Sequence, residues 1–262
     1  MALLADRIKE YIEHYELLLN LIGKELLLKY KNSMLGFIWS FINPFLLMIV
    51  YTFIFSVVFQ NKGSDNYPIF LLVGLLPWNF LAISLSSSTA SIIGNANLIK
   101  KIYFPREFLP ISIVIANAVT FLLELCVLFV FLILYSYKFY FYIPILLLAI
   151  LLEILLISGL CLFFASVNVY FRDIQQLINV LLLLWFFATP IVYKLEMVPA
   201  KLQLLLKLNP ITPIILLYRT ALFLNTMPSL TILSSAFVSA TTIFVAGYAV
   251  FAKLSKSFAK EV

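Results

Sequence analysis

The chain has 262 residues, of which 64% are hydrophobic and 11% are charged, and its mean hydropathy is +1.08. A soluble domain of this size would carry about 25% charged residues, because its surface must face water. The composition therefore excludes a soluble enzyme or binding module and predicts an integral membrane protein. The net charge of +6 is interpreted as membrane topology and contact with anionic lipids, and nucleic-acid binding is not expected without a basic soluble domain.

Few side chains in the chain are suited to catalysis or metal binding. His14 is the only histidine, and the two cysteines, Cys126 and Cys161, lie within long apolar runs. Metal sites and Ser–His–Asp triads need several such groups close together. No catalytic residue, metal site or cofactor site is therefore predicted, and both cysteines are expected to pack as small apolar side chains.

Residues 1–32 are predicted to form an amphipathic helix on the cytoplasmic side. Apolar residues recur there every three or four positions, while charged residues take the other side. The apolar set is Ile8, Ile12, Tyr15, Leu19, Ile22 and Leu26. Such a helix is expected to lie in the membrane interface. Acidic residues throughout the segment argue against a secretory signal.

Residues 33–262 are predicted to form one all-α transmembrane domain with six spanning helices. A helix needs about 20 residues to cross a bilayer, and its backbone must bond within the segment. The predicted spans cover about 34–59, 67–92, 109–135, 143–167, 177–193 and 229–252, the fifth being the shortest. Pro44, Pro77 and Pro110 are expected to kink or start helices.

The distribution of basic residues predicts the orientation. Twelve of the eighteen Lys and Arg residues fall in segments on the same side as the N-terminus. By the positive-inside rule, both termini are expected in the cytoplasm, with the chain in the cell's inner membrane. Between the last two spans, residues 196–225 are too proline-rich to cross. Two short helices that enter the outer leaflet and return are predicted there.

Four segments in order along the chain carry a family resemblance. They are KYKNSMLGFIWSFINPFLLMIVYTFIF at 29–55, NLIKKIYFPREFLP at 97–110, VYFRDI at 169–174 and NPITPIILLYR at 209–219. Together they resemble the permease subunits of type-two ABC exporters, in particular those for O-antigen, capsule or teichoic acid. The resemblance implies a homodimer with two copies of a cytoplasmic ATPase, which bind ATP and Mg²⁺, and a lipid-linked glycan as substrate. This chain has no GxxxxGK[ST] phosphate loop of its own.

The same resemblance implies that the 97–107 loop docks on the ATPase. Exposed Tyr103 and Phe104 with a charged rim, and a turn fixed by Pro105, suit a docking surface. The other residues implied in coupling are Lys100, Lys101, Arg106, Glu107, Arg172 and Asp173. The alternative is that the cations set topology and the aromatics form an interfacial belt. For Arg172 and Asp173, the second possibility is that Asp173 stabilises the start of the fifth helix.

Aromatic residues on the first long helix are candidates for the lining of a channel. Sugar rings stack their apolar C–H faces on aromatic rings, which would let a glycan slide, although lipid contact and packing are equally consistent with the pattern. The candidates are Phe37, Trp39, Phe41, Phe45, Tyr51, Phe55 and Phe59. The family resemblance also implies an outer gate. Its residues would be Asn209, Pro210, Pro213, Tyr218 and Arg219.

The predicted function is a permease that, with its ATPase, exports a lipid-linked polysaccharide without covalent chemistry. One alternative keeps the exporter and changes the cargo to a drug, a lipid or a peptide. Another is an ion-coupled secondary transporter that uses Glu124 and Glu153, the two acids deep in predicted spans. These acids are instead expected to bond across helices or to lie near helix ends.

Overall fold

The computed structural model describes residues 10–31, 38–54 and 66–261, and the regular elements within these ranges are all helices. The all-α class is thereby confirmed for the described part of the chain. The helices are α1 (Tyr15–Tyr30), α2 (Trp39–Thr52), α3 (Tyr67–Thr89), α4 (Ser91–Gly94), α5 (Ala96–Lys101), α6 (Phe108–Leu134), α7 (Ile143–Tyr170), α8 (Ile174–Phe187), α9 (Ala200–Leu208), α10 (Thr212–Tyr218), α11 (Leu230–Leu254) and α12 (Phe258–Glu261). A π-helical turn, Arg219–Leu224, extends α10.

Four of the described helices are long and apolar enough to cross a membrane. They are α3, α6, α7 with the 3₁₀ turn before it, and α11 with the 3₁₀ turn after it. Each exceeds the 20 or so residues that span the hydrocarbon core, so the chain is a multi-pass membrane protein. The predicted first span, 34–59, is described only in its centre, as the 14-residue α2.

The predicted fifth span, 177–193, is wrong as a continuous spanning helix. Helix α8 has 14 residues and ends at Phe187, so it rises by only about 21 Å. Pro190 follows closely, and a proline inside a helix removes a hydrogen bond and clashes with the preceding turn. The described residues therefore hold a broken helix where the sequence predicts a complete one.

Helices α7 and α11 make the closest helix pair of the bundle. A Cβ atom on Gly159 of α7 would lie 2.5 Å from the Cα atom of Phe244 on α11. Ala236, Ala240 and Gly247 are buried on the same side of α11. Small residues allow membrane helices to approach closely enough for backbone contact, so this pair fixes the position of the last helix.

The bundle has two distinct ends. At the loop end, which carries the 97–107 loop, a cluster of buried apolar side chains joins α1 and α4–α7 to α11 and α12. Its members are Leu21, Ile92, Ile99, Phe104, Phe108, Leu109, Leu162, Ala165, Val169, Phe251 and Phe258. The opposite end carries residues 190–225 and is called the gate end.

Helix α1 packs lengthwise along the first half of α6. Near the start of α6, the ring centroids of Tyr11 and Phe108 are 5.2 Å apart. Further along, the Lys29 ammonium donates to Asn117 Oδ1 and Thr120 Oγ1, both at 3.2 Å. The Tyr15 and Leu19 side chains of α1 are exposed, as is Ile12 just before it. The position of this helix in a membrane interface remains a prediction.

Substitution of Gly247 by Ala should destabilise the bundle, because the added methyl group would meet the backbone of Gly159. No rotamer change can relieve such a contact, and overpacking costs about 1 to 3 kcal/mol. A lower thermal unfolding midpoint in detergent is the expected result. Gly94→Ala is the control, since no atom lies within 4 Å of its added Cβ. Equal midpoints for the two variants would contradict the prediction.

Candidate functional site

The 97–107 loop presents an outward-facing surface at the loop end. Helix α5 ends at Lys101, and Ile102 follows in an extended conformation. Tyr103 is 79% exposed and Ile102 is 52% exposed, and Lys100 and Lys101 are exposed beside them. The loop therefore offers one aromatic ring and one aliphatic side chain flanked by two cations.

The expectation that Phe104 is exposed together with Tyr103 is wrong. Phe104 is 3% exposed and belongs to the buried cluster at the loop end, and Pro105 is also buried. The chain leaves α5 through extended Ile102, with Tyr103 outside and the Phe104 ring received by the buried cluster.

Two charged residues of the loop hold it to the rest of the bundle. Arg106 Nη1 donates to the carbonyl oxygen of Ser255, at the end of α11. Glu107 is 7% exposed, and its Oε1 accepts a hydrogen bond of 2.7 Å from the Tyr11 hydroxyl. These contacts tie the loop to α11 and to the segment that leads into α1, so a displacement of the loop would move both.

The turn between α7 and α8 lies at the same end. Arg172 and Asp173 are both exposed there. Asp173 directly precedes α8, but its side chain makes no capping hydrogen bond. The neighbouring Tyr170 hydroxyl donates to the Leu254 carbonyl at 3.1 Å. This turn and the 97–107 loop are thus both anchored at the end of α11.

At the gate end, the chain after α8 forms a hairpin of α9 and α10. The ring of Trp185, near the end of α8, lies 6.1 Å from Trp78, which is halfway along α3, so α8 stops at mid-height in the bundle. Asn209, between α9 and α10, accepts a hydrogen bond of 2.9 Å from Trp185 Nε1. Phe223 at the other end of the π turn meets Phe70 near the start of α3. The hairpin therefore reaches mid-height and returns to the gate end.

Where α8 ends, side chains donate hydrogen bonds to backbone carbonyls that have no helical partner. The Asn209 amide donates to the Ala188 carbonyl at 3.0 Å, and Arg219 Nη2 donates to the Ile191 carbonyl at 2.7 Å. The Tyr67 hydroxyl reaches the Val192 carbonyl at 3.0 Å. Further bonds run from Thr189 Oγ1 to Trp185 and from the Tyr193 hydroxyl to Phe187. The bonds from Arg219 and Tyr67 are buried, where a carbonyl needs a protein partner, so these two side chains stabilise the chain beyond the end of α8.

Arg219 is the most deeply buried cation of this region, at 4% exposure. Its guanidinium carbon lies 3.9 Å from the centroid of the Phe70 ring, within cation–π range. Glu196, Tyr67 and Tyr193 interact with it electrostatically. The predicted gate residue is therefore also a structural link between the π turn, α3 and the broken end of α8.

The other predicted gate residues have different surroundings. Tyr218 is fully buried and donates a hydrogen bond of 2.5 Å to Glu153 Oε2 on α7. Pro213 lines a cavity at the gate end. The Pro210 carbonyl accepts from Ser239 at 3.3 Å. Within the described residues, the predicted gate thus divides into Tyr218, Asn209 and Pro210, which bond to other segments, and Pro213 and Arg219, which line the cavity.

The two intramembrane acids have partners on other helices. The bond from Tyr218 confirms that Glu153 bonds across helices. Glu124 on α6 is 8% exposed and interacts electrostatically with Lys29 of α1. The two carboxyl groups contact different neighbours, and Glu153 Oε1 is buried without a hydrogen-bond partner among the described residues.

Only part of the predicted channel lining can be located. Phe37, Phe55 and Phe59 lie outside the described residues, as do the side chains of Phe41 and Tyr51. Trp39 and Phe45 are 47% and 42% exposed. The ring of Phe45 stacks on Phe131 of α6, with centroids 6.3 Å apart. The positions of Trp39 and Phe45 are consistent with either role for the aromatic stripe of α2, channel lining or packing.

A groove that the sequence analysis missed lies between α2, α3 and α8. Its volume is about 420 Å³, and Trp78, Phe186 and Phe187 form aromatic walls beside two amides, Asn79 and Asn179. The Asn179 Oδ1 atom accepts from Ser86 at 3.1 Å. Asparagine within an apolar helix is expensive in lipid. Asn79 and Asn179 were therefore the feature of the sequence that could have indicated the groove. Their position in one groove, however, depends on the packing of α3 on α8.

Comparison with known proteins matches the sequence of this chain to one family. A family model described as ABC-2 type transporter covers residues 16–223. An O-antigen export system permease protein RfbA of Klebsiella pneumoniae is 33% identical over 250 residues, covering 94% of this chain and 95% of that protein. The RfbA permease of Myxococcus xanthus is 31% identical and covers 97% and 98%.

A more distant relative is the polysialic acid transport protein KpsM of Escherichia coli. It is 26% identical over 204 residues, which cover 76% of this chain and 78% of KpsM. The family model extends from α1 to the π turn after α10, so it includes the 97–107 loop, α8 and the hairpin. The family predicted from four sequence segments is confirmed. The chain belongs to the ABC-2 type transporter family.

Proposed function

We propose that this chain is the membrane-spanning subunit of an ATP-driven exporter that moves a lipid-linked polysaccharide across the cell's inner membrane. The observation that carries the proposal is the similarity over nearly its whole length to two O-antigen export permeases. A homodimer binds two copies of a separate ATPase in the cytoplasm, and that subunit holds ATP and Mg²⁺. Both termini and the loop end face the cytoplasm, in line with the distribution of basic residues.

The 97–107 loop is the proposed contact with the ATPase. The exposed ring of Tyr103 supplies an aromatic anchor, and Lys100 and Lys101 supply a charged rim. Because Arg106 is bonded to the end of α11 and Glu107 to Tyr11, a displacement of the loop is transmitted directly to the spanning helices. Exposed Arg172 and Asp173 form a second contact on the neighbouring turn.

The groove between α2, α3 and α8 is the proposed contact for the glycan. Trp78 and Phe186 offer flat faces for the C–H surfaces of sugar rings, while Asn79 and Asn179 can bond to sugar hydroxyls. Leu47 of α2 also lines the groove, which supports a path beside the aromatic stripe of the first span. Weak contacts of both kinds allow a long polymer to slide.

The α9–α10 hairpin is the proposed outer gate, a re-entrant element in the outer leaflet. It is joined to α8 by side-chain bonds of Asn209 and Arg219, and not by a continuous helix. Such bonds can be exchanged as a unit, since the hairpin keeps its own helical hydrogen bonds. This supports opening and closing at the gate end while the long helices stay packed.

Tyr103→Ala should weaken the binding of the ATPase, because it removes an aromatic ring from the proposed docking surface. The fold should be unaffected, because the ring is exposed. An aromatic anchor contributes about 2 kcal/mol or more, which corresponds to roughly 30-fold in affinity. The measurement is the amount of ATPase that co-purifies with the tagged chain, with its vanadate-sensitive activity. Tyr140→Ala is the matched control, since Tyr140 is 53% exposed at the gate end. Equal recovery of ATPase from both variants would exclude the docking role.

Phe104→Ala should behave differently from Tyr103→Ala, since Phe104 is buried in the cluster at the loop end. Loss of a buried phenylalanine ring costs about 3 to 5 kcal/mol. The expected result is a lower thermal midpoint and a lower protein level in the membrane. A stable Phe104→Ala protein that fails to bind the ATPase would show instead that Phe104 itself makes the contact.

Asn179→Leu should reduce export, because it removes an amide from the proposed glycan groove. The loss of one hydrogen bond to the moving polymer corresponds to about 2- to 10-fold in rate. The measurement is the amount of polymer at the cell surface at matched protein level. Val180→Leu on the exposed side of the same helix is the control. Unchanged export by Asn179→Leu would remove the groove from the pathway.

The same export assay separates the proposal from an ion-coupled transporter. A glutamine at position 153 keeps an oxygen that can accept from Tyr218, so Glu153→Gln and Glu124→Gln should retain export. Complete loss in either variant, at normal protein level, would favour ion coupling. A surface polymer that stays unchanged when the chain is deleted would indicate a drug, a lipid or a peptide as the cargo.

A further inference from the structure

A cavity of about 800 Å³ opens at the gate end. It lies between the Leu195–Met197 turn, α10 with its π turn, and the first turns of α11. Three cations, Lys194, Lys207 and Arg219, line it together with a single acid, Glu196. The charged lining therefore has a net charge of +2, which favours an anionic occupant.

Two buried polar atoms of this cavity have no partner among the described residues. Arg219 uses Nη2 to bond the Ile191 carbonyl, but its Nε is buried and unbonded. Thr212 is 1% exposed, and its Oγ1 is likewise unbonded. A buried polar group without a partner costs about 1 to 3 kcal/mol. Both residues line the same cavity, but the two atoms have almost no accessible surface, so an oxygen-rich group bound there would satisfy them after a small side-chain rotation.

The rest of the lining is divided into hydroxyl and apolar groups. The hydroxyls come from Thr220 and from the start of α11, where the lining residues are Ser229, Thr231 and Ser235. The apolar side chains are Phe70, Leu216, Phe223, Leu224 and Ile232. Leu224 is 56% exposed, so the apolar wall continues to the outer surface of the bundle. A ligand with an anionic head and an apolar tail matches this arrangement.

The height of the cavity agrees with such a ligand. Phe70 lies close to the start of α3, and Ser229 caps the start of α11, where its hydroxyl accepts from the Ile232 amide. The ends of spanning helices lie at the level of lipid headgroups. The cations of the cavity are thus at the level where lipid phosphates are found.

We infer that this cavity binds the phosphate ester headgroup of a lipid in the leaflet at the gate end. The planar guanidinium of Arg219 and the ammonium of Lys207 contact the phosphate oxygens, the Thr212 hydroxyl donates to one of them, and the apolar wall holds the first part of the tail. The lipid is either a bilayer phospholipid or a polyprenyl phosphate carrier. Only the choice of a polyprenyl lipid rests on the proposed function.

The test is a binding titration on the purified full chain in detergent, followed by native mass spectrometry. The three probes are inorganic phosphate, dioctanoyl phosphatidylglycerol and farnesyl diphosphate. Both lipids should bind one site per chain and more tightly than inorganic phosphate, because they also use the apolar wall. The tighter lipid identifies the source of the headgroup. No ATPase or glycan is present, so failure of export in cells would not affect this result.

Three variants locate the site. Lys207→Gln should weaken lipid binding about 2- to 5-fold, and Thr212→Val, which keeps the shape and removes the hydroxyl, about 3- to 10-fold. Lys201→Gln is the control, because Lys201 is exposed on the same helix as Lys207 but does not line the cavity. Arg219→Gln should abolish binding; since Arg219 also holds α8, its thermal midpoint is measured in parallel.

Three results would overturn the inference. The first is the absence of saturable binding by either lipid, which would leave a cavity filled with water. The second is equal affinity in the wild type, Lys207→Gln and Thr212→Val, which would place the bound lipid elsewhere. The third is inorganic phosphate binding as tightly as both lipids, which would exclude a site for the lipid tail.

Discussion

The break in α8 at Pro190 is the constraint on which the gate end depends. A helix that stops at mid-height leaves carbonyl groups inside the bundle, where water cannot satisfy them. Asn209, Arg219 and Tyr67 supply the missing donors from the hairpin and from α3. The hairpin therefore stabilises the end of α8, since without it carbonyls there would be left unbonded in an apolar environment.

The long helices and the hairpin are held in the bundle by different contacts. Helices α7 and α11 meet through Gly159 and Gly247 with backbone contact, and the 97–107 loop is fixed to the end of α11 through Arg106. These contacts form a continuous connection from the proposed ATPase surface to the long helices. The hairpin is held by the buried apolar side chains of α10 in the main core and by the bond between Tyr218 and Glu153.

Charge is used in two ways at the gate end. Arg219 satisfies a backbone carbonyl and lies over Phe70, yet its Nε remains without a partner among the described residues. Structural and binding roles can therefore belong to one side chain, because a guanidinium carries five donors in one plane. Arg219 belongs both to the bonds that hold the end of α8 and to the proposed lipid site. A lipid bound at the site would therefore contact a residue that holds the hairpin in place.

Composition and motif order alone determined the membrane class, the all-α fold and the family, because these depend on hydropathy and on local sequence. The sequence could not show that Tyr103 faces out while Phe104 faces in, since that depends on the buried cluster at the loop end, which receives the Phe104 ring. It also missed the groove at Asn179, because residues distant in the sequence form it. The sequence predicted a continuous fifth span, and only the tertiary structure decided where α8 ends and which side chains bond the carbonyls beyond it, since those donors come from other segments.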